Sequence, residues 1–421
     1  MSTEMNWMQE RNAALDRWGR VLAGTALLAA VSVGVASPAA AQTAVEGGTV
    51  YTMDGDPIEN GVVLVNDGVI EEVGPAADVD IPNDYETLYA TVVTPGFIDA
   101  RSVVGLNGIY NEDDDQDALE PTSAMQPELR AFDAYDPTED LVTWLRDLGI
   151  TTVHTGHAPG ALASGQTMVV KTHGNNVGEA IVDSVTSVAM TLGPSVSSNY
   201  GTPGSRAKGA SELRQELHRA QEYLEEREDN GGSSSNIRQE ILADVLEGEV
   251  AATITAQRHT EIMTALRIIE EFELENVYLD GLAEGHKVLD EIAEAGFPVF
   301  VHPTMIRPSG EAENASFEMA AMLEEAGVPF AFQSGFEGYV PKTRVAHFEA
   351  AVAVANGLDR MRGLEKMTVD AAEILGIDDR VGTLAPGMDA DLALFDGDPF
   401  EYTTRTCEVL IEGEIVSDEC L

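Results

Sequence analysis

The first thing this chain lacks is positive charge. Its 421 residues include 73 acidic and 24 basic side chains, and the formal net charge is −49. A surface of this sign repels nucleic acid and anionic membranes, which argues against both as partners. The carboxylates are spread along the chain, as in proteins that stay hydrated and soluble where salt screens charge. The composition therefore predicts a halophilic protein in preference to a cation buffer.

Cysteine is nearly absent, with Cys407 and Cys420 as the only two. The segment "CEVLIEGEIVSDEC" is typical of a hairpin that turns at Glu412 and Gly413. That register would put both cysteines on one face, near the outer limit of disulfide reach. The sequence leaves a bridge and two unpaired thiols both open, and two cysteines alone do not predict a metal site.

Long apolar runs are missing except near the N-terminus. There, Arg11, Arg17 and Arg20 precede "VLAGTALLAAVSVGVAS", which is followed by "PAAAQ". This order predicts a signal peptide over residues 1–41, cleaved after Ala41, because an apolar run of about 17 residues is at the lower limit for spanning a bilayer. We therefore expect an exported protein, periplasmic or secreted, with no membrane span after signal removal.

The remaining sequence predicts an α/β fold with two parts. Residues 42–93 and 381–421 have short alternating strands and turn signals, and they are predicted to form one composite β-sandwich domain from both chain ends. Residues 94–380 alternate apolar strands with amphipathic helices, which predicts a (β/α)8 TIM-like barrel. The eight barrel strands are predicted at "GFIDAR", "TTVHTG", "TMVVKT", "AIVDSVTSVAM", "AATITA", "NVYLD", "PVFVHP" and "PFAFQS".

Two segments resemble a known superfamily. "TPGFID" at 94–99 and "LGIDDRVGTLAPGMDADLALFDGDP" at 375–399 are similar to segments of the amidohydrolase superfamily, closest to its imidazolonepropionase-like branch. The resemblance covers about residues 47 to 418. It implies hydrolysis of non-peptide C–N bonds in cyclic amides or N-acyl and dipeptide-like compounds, with zinc or another divalent metal activating a water.

The positions at which the resemblance places metal ligands hold other residues. Arg101 and Val103 stand where the first strand carries two histidines, Thr255 and Asp280 replace the histidines of the fifth and sixth strands, and Gly335 replaces the catalytic aspartate. The fourth strand, within "SVTSVAMTLGPS", offers neither lysine nor glutamate. We therefore predict no metal and no other cofactor, and assign no catalytic residue.

Other polar residues fall at predicted strand ends and could form a pocket. The candidate pocket residues are Arg101, His154, His157, Lys171, His173, Asp280 and His302. The first hypothesis is a metal-free, catalytically degenerate homologue that binds a small molecule with carboxylate or amide groups, or pairs with an active amidohydrolase relative. We expect a homo- or hetero-oligomer. The alternative is an active hydrolase with a site rebuilt around His154, His157, Lys171 and His173.

Overall fold

The computed structural model describes residues 42–420, apart from residues 111, 113–114, 230–235 and 337–344. The predicted signal peptide and most of the polar interruption "NGGSSSN" lie outside the described residues. Among the residues that are described, no helix is both long enough and apolar enough to cross a bilayer.

Eight strands in the middle of the chain form a nearly closed barrel. In chain order they are β5 (Phe97–Ser102), β6 (Ile150–Gly156), β7 (Ala163–Lys171), β8 (Ile181–Thr191), β9 (Ala251–Ala256), β10 (Val277–Gly281), β11 (Val299–Val301) and β12 (Phe330–Phe332). The first and last strands meet where the amide of Gly335 donates to the carbonyl of Arg101 at 3.1 Å. All eight predicted barrel strands are present, and the barrel prediction is confirmed.

One strand departs from the all-parallel pattern that the sequence suggested. β7 is antiparallel to both β6 and β8, and Thr152 of β6 lies opposite Lys171 of β7. The loop between β6 and β7 has only the six residues 157–162. A parallel connection needs a crossover of about a dozen residues or more, so this loop can only make a hairpin. The end of β7 therefore lies at the opposite end of the barrel from the end of β6.

Helices surround this barrel. They are α1 (Asp140–Asp147), α2 (Val177–Ala180), α3 (Pro194–Tyr200), α4 (Arg206–Asp229), α5 (Ile237–Leu246), α6 (His259–Glu271), α7 (Leu289–Ala295), α8 (Met319–Glu325), α9 (Ala346–Ala355), α10 (Arg360–Glu365) and α11 (Val369–Leu375). Local sequence explains several boundaries. The Asp359 side chain caps α10 by accepting from the amide of Met361 at 2.8 Å, and α11 ends at Gly376, whose φ of 68° suits glycine.

The two chain ends build one seven-stranded sheet beside the barrel. Its strands are β1 (Thr43–Val50), β2 (Ile58–Asn66), β3 (Val69–Pro75), β4 (Glu86–Pro95), β13 (Leu392–Phe395), β14 (Thr406–Ile411) and β15 (Glu414–Ser417), in the spatial order β15-β14-β13-β4-β1-β2-β3. The prediction that both chain ends build one β structure is confirmed, but its strands are joined in one continuous sheet where a sandwich was predicted. Apolar residues from both ends, including Val63, Val93, Leu392 and Leu410, pack in a shared core.

Candidate functional site

The first barrel strand carries a buried carboxyl group. Asp99 is fully buried in β5, and its Oδ1 accepts a hydrogen bond from the amide of Ser334 at 2.8 Å. The Ser334 hydroxyl donates to the other carboxyl oxygen. Burial raises the pKa of Asp99 to about 7, although the bonds from Ser334 act in the opposite direction. Asp99 thus joins the first barrel strand to the segment that follows the last one.

Arg101 lies two residues further along the same strand, and its guanidinium group is buried. One terminal nitrogen donates to the carbonyl of Ser102 at 2.6 Å, and the other donates to the carbonyl of His157. Burial lowers the pKa of Arg101, while the nearby carboxylates of Asp280 and Asp99 favour its charged form. Arg101 therefore supplies the positive charge among two carboxyl groups and connects the end of β5 to the loop after β6.

The sequence placed Arg101 among the candidate pocket residues, but in the structure its donors bind the chain itself. Both terminal nitrogens are directed at backbone carbonyls of the chain itself. Only Nε forms no hydrogen bond with the described residues. The fork geometry that suits a ligand carboxylate is here used to hold two segments of backbone together.

Asp280, at the end of β10, is the centre of a second buried set of hydrogen bonds. Its Oδ2 accepts from the hydroxyl of Thr255 at 2.5 Å and its Oδ1 from the amide of Gln333 at 2.6 Å. Gln333 also donates to the carbonyl of Phe300 at 2.9 Å. Both oxygens of Asp280 therefore already have donors, one on the adjacent strand β9 and one in the segment that follows β12.

His154 lies inside the barrel rather than in an open pocket. It is fully buried, with its ring 5.4 Å from that of Phe300 between centroids. Its Nδ1 is 2.8 Å from the carbonyl of Ala100, so Nδ1 must carry the proton, and Nε2 accepts from the hydroxyl of Thr167 at 2.7 Å. Burial, together with the charge of Arg101, lowers the pKa of His154 to about 3.

The tautomer of His154 determines which hydroxyl group donates and which accepts in a chain of hydrogen bonds. Thr167 contacts Ser187 at 2.6 Å, and Ser187 contacts Thr253 at 2.7 Å. Since the Thr167 proton is donated to His154, Ser187 donates to Thr167 and Thr253 donates to Ser187. Each strand from β6 to β9 thus contributes one polar side chain to a ladder that crosses the barrel interior.

His157 and His302 lie near the same end of the barrel. His157 is buried, and burial lowers its pKa to about 4, although a contact with the backbone of Ala118 acts in the opposite direction. His302 follows β11, with Nδ1 2.9 Å from the carbonyl of Pro303. Burial lowers the pKa of His302 as well. In both cases burial favours the neutral ring.

The prediction that Lys171 and His173 share this mouth is wrong, because β7 is antiparallel. Lys171 is buried at the other end of the barrel, where its Nζ lies 2.7 Å from Asp391 and 3.1 Å from Asp389. His173 lies 3.4 Å from Glu414 of β15, at the surface. Lys171 therefore joins the barrel to the seven-stranded sheet, and the four-residue rebuilt site is not brought together.

The remaining positions compared above also have structural roles. Val103 is buried in the main apolar core. Gly335 has a φ of 70°, and a Cβ there would lie 2.8 Å from the side chain of Pro303. An aspartate at position 335 would therefore be strained in this backbone.

The polar residues at this end of the barrel do not fit a divalent metal ion. Both oxygens of Asp99 already accept hydrogen bonds from Ser334, and both oxygens of Asp280 accept them from Thr255 and Gln333. The buried Arg101 adds a permanent positive charge beside them. Within the described part of the chain, three possible ligand atoms come within 4.8 Å of one another only at Asp244, Glu247 and Glu249, which lie at the end of α5.

Comparison with known proteins defines the class. The model of the amidohydrolase family matches residues 156–417, which is more than half of the chain, and the chain therefore belongs to that family. In particular, it is similar to an amidohydrolase from Thermotoga maritima MSB8, with 28% identity and a TM-score of 0.84 over 90% of this chain and 100% of that one.

Two further relatives are more distant. The amidohydrolase tasK of Hapsidospora irregularis is 21% identical over 394 residues, covering 85% of this chain and 40% of the relative, so this chain spans less than half of that protein's length. An adenosine deaminase from Xanthomonas campestris with bound zinc is 16% identical, with a TM-score of 0.52 over 90% of this chain and 94% of that one. The second likeness concerns the fold alone.

Sequence reasoning did not identify several polar residues of this cluster. Asp99 was read only as part of "TPGFID", and Ser334 and Gln333 only as part of the last strand. Each lies beside a position that the family resemblance did single out, Arg101 or Gly335. A signal was available, since buried polar side chains beside the substituted positions need hydrogen-bond partners of their own.

Proposed function

We propose that this chain is an exported, metal-free member of the amidohydrolase family, from its imidazolonepropionase-like branch, that binds a small molecule or a partner protein instead of hydrolysing C–N bonds. The observation that carries the proposal is the buried Arg101. Its charge interacts with the carboxyl groups of Asp280 and Asp99, and it occupies one of the positions at which the family resemblance places a metal ligand. An arginine can neutralise carboxylates, but it cannot generate hydroxide from water at neutral pH.

The substitutions at the other strand ends support the same proposal. Thr255 and Asp280 bond to each other, and the backbone at Gly335 does not accommodate an aspartate without strain. A hydrolase with a rebuilt site is disfavoured, because His154 is enclosed inside the barrel and the Lys171 ammonium is paired with Asp391, away from the end of β6 where His157 lies. The ligand that we propose is a compound with carboxylate or amide groups, and the protein partner is an active amidohydrolase or a second copy of the chain.

The test is the metal content of the purified protein. We expect less than one zinc or other divalent ion per chain after dialysis, and no hydrolysis of cyclic imides or dipeptides, with or without added zinc. The double variant Arg101→His, Val103→His should not gain hydrolysis, since Thr255, Asp280 and Gly335 remain. Stoichiometric zinc in untreated protein, together with chelator-sensitive hydrolysis, would overturn the proposal.

Export rests on a separate observation, the three arginines before the apolar run in residues 1–41. Cleavage after Ala41 would give a mature chain that begins at Gln42. N-terminal sequencing of the protein recovered outside the cytoplasm of expressing cells tests this. A chain that keeps Arg20 at its N-terminal side and stays in the cytoplasm would contradict it.

A further inference from the structure

A cavity of about 640 Å³ lies outside the barrel mouth, between α4, α6 and the segment that follows β8. Its apolar wall includes Leu162, Leu192 and Ala210, which are nearly buried. None of the candidate pocket residues discussed above lines it. The cavity is large enough for a small ligand, and its apolar wall suits a hydrocarbon body.

The polar lining of this cavity has the opposite sign to the molecule. Arg206, Arg214 and Arg267 all line it, against Glu261 as the one acidic lining residue, in a chain with a net charge of −49. Helical spacing explains the arrangement, because Arg206 and Arg214 lie two turns apart on α4 and Arg267 lies on the facing side of α6. Three of the chain's nineteen arginines therefore converge on one cavity.

The three arginines differ in how they are paired. Arg214 bonds to Glu271 at 2.5 Å, and Arg206 donates to the hydroxyl of Thr260 at 3.1 Å. Arg267 donates only to the hydroxyl of Thr264, at 2.8 Å, and among the described residues no carboxylate lies within 4.0 Å of it. Arg267 is thus a cation available to a ligand anion.

The carboxylate of Glu261 is the second polar feature of the wall. This residue is 3% exposed, and its Oε2 accepts from the amide of Arg258 at 3.1 Å, which caps α6. Its Oε1 has no hydrogen-bond donor among the described residues, and the Nε of Arg206 is 3.5 Å away. A buried carboxylate oxygen without a donor is costly, so a ligand group that donates to it would be favoured.

We propose that this cavity binds small amphipathic carboxylic acids that carry a hydrogen-bond donor next to the carboxyl group, such as 2-hydroxy acids with a branched apolar side chain. The ligand carboxylate pairs with Arg267 and Arg206. The neighbouring hydroxyl donates to Oε1 of Glu261, and the hydrocarbon packs against Leu162 and Leu192. This site is distinct from the barrel mouth, and it does not depend on whether the chain is metal-free.

Calorimetry on the full chain tests the proposal, at the lowest potassium chloride concentration that keeps the protein folded. Three probes separate the contributions: 2-hydroxy-4-methylpentanoate has all three groups, 4-methylpentanoate lacks the donor, and 4-methyl-1-pentanol lacks the carboxylate. We expect the hydroxy acid to bind most tightly and the alcohol least. Absence of measurable binding of the hydroxy acid at millimolar concentration would overturn the proposal.

Variants locate the binding. Arg267→Gln should weaken the hydroxy acid about tenfold, the effect of losing one hydrogen bond to a charged group. Arg219→Gln is the matched control, because Arg219 lies on the same helix as Arg214 and, among the residues that the structure describes, pairs only with Glu216. Glu261→Gln keeps an oxygen to cap α6, and it should remove most of the advantage of the hydroxy acid over 4-methylpentanoate.

A further variant tests the cavity itself, with a check that the protein remains folded. Ala210→Phe fills the cavity without touching a charge, and it should abolish binding while circular dichroism stays unchanged. Binding that survives Ala210→Phe and Arg267→Gln in folded protein, but is lost in Arg101→Gln, would place the ligand at the barrel mouth and overturn the assignment.

Discussion

At the scale of single residues, the barrel mouth is organised by Arg101. Asp99 and Asp280 are buried carboxyl groups on different strands, and a buried carboxylate is stable only with a counter-charge or several donors. Arg101 supplies that charge, and its terminal nitrogens also satisfy the carbonyls of Ser102 and His157. Removing the side chain would therefore leave both carboxyl groups without this counter-charge and both carbonyls without these donors.

We expect Arg101→Met to lower the free energy of unfolding by about 3–5 kcal/mol, the usual loss when one member of a buried charged set is removed. Denaturant unfolding measures it. Adding Asp280→Asn to this variant should recover part of the loss, since the uncompensated charge is then gone. The control is Arg130→Gln on an exposed arginine 3.9 Å from Asp133, expected to cost less than about 1 kcal/mol. Equal losses at positions 101 and 130 would contradict the role of Arg101.

The buried histidines predict a loss of stability in acid. Burial lowers the pKa of His154 from 6.5 to about 3, so the neutral ring contributes stability that is complete above pH 6.5 and is lost as the pH falls towards 3. His154→Gln should destabilise the protein at pH 7, and the gap to the native protein should narrow by pH 4.5. Denaturant unfolding at both pH values gives the two gaps. His218→Gln, at an exposed histidine beside Gln221, is the control. A gap at position 154 that does not change with pH would count against this reading.

The titration of Asp99 changes the stability in the opposite direction over part of the same pH range. Its pKa is raised to about 7, so its contribution is complete below its usual value near 3.8 and is lost as the pH rises through 7. This is why the His154 prediction compares a variant with the native protein at each pH. The shape of the native curve alone would mix the two effects.

The sequence revealed which positions of the site are substituted, but it did not reveal the partners of these side chains. The departures at Arg101, Val103, Thr255, Asp280 and Gly335 were visible because a family resemblance gave their positions. The partners of these side chains could not be read from the sequence. Ser334 lies 235 residues from Asp99, and only the closed barrel brings the two together.

At the scale of elements, the strands were predictable and the direction of one strand was not recognised. Continuous apolar runs between helices predicted eight barrel strands, and all eight exist. The six residues between β6 and β7 are too few for a crossover helix, so loop length alone could have predicted the hairpin. Because the hairpin was not recognised, Lys171 was predicted at the wrong end of the barrel.

The C-terminal hairpin shows a similar limit. The predicted turn at Glu412 and Gly413 is present, with both residues at positive φ, as a tight hairpin turn requires. The pairing then shifts by one residue beyond Leu410, where Val409 lies opposite Ser417. This shift moves Cys420 towards Cys407, and the two form a disulfide. A bulge of this kind depends on packing that the sequence pattern does not show.

The disulfide should stabilise the hairpin by constraining the unfolded chain. Closing a loop over a sequence separation of 13 residues is worth about 3 kcal/mol in the chain-entropy model. We expect Cys407→Ala with Cys420→Ala to lower Tm, and a reducing agent to lower the Tm of the native protein by a similar amount. The reducing agent should leave the double variant unchanged, which is the internal control. A native Tm that is insensitive to reduction would show that the bridge carries no stability.

At the scale of the whole molecule, charge is the dominant feature. The ion pairs among the described residues use only part of the acidic excess, and some surfaces carry carboxylates alone. A surface cavity of about 800 Å³ between α6 and α7 is lined by Glu270, Glu273, Glu275, Glu291 and Glu294, with no basic side chain among its lining residues. Like charges this close repel one another until salt screens them, because the Debye length falls from about 10 Å at 0.1 M salt to about 3 Å at 1 M.

This repulsion predicts that the protein needs molar salt to stay folded. We expect Tm to rise steeply between dilute buffer and molar potassium chloride, measured by calorimetry. Sucrose at matched osmotic strength is the control, since it favours compact states through exclusion from the surface and does not screen charge. The rise should therefore be much larger in the salt than in the sugar. A Tm that is the same in dilute buffer and molar salt would contradict the prediction.

The glutamate-lined cavity allows the same idea to be tested locally. The triple variant Glu270→Gln, Glu273→Gln, Glu294→Gln keeps the size of each side chain and removes three charges from one surface. It should raise Tm in dilute buffer and leave Tm in molar salt nearly unchanged, because screening already removes that repulsion. A triple variant that raises Tm equally in both conditions would show instead that the glutamates weaken α6 and α7 through local packing or helix propensity.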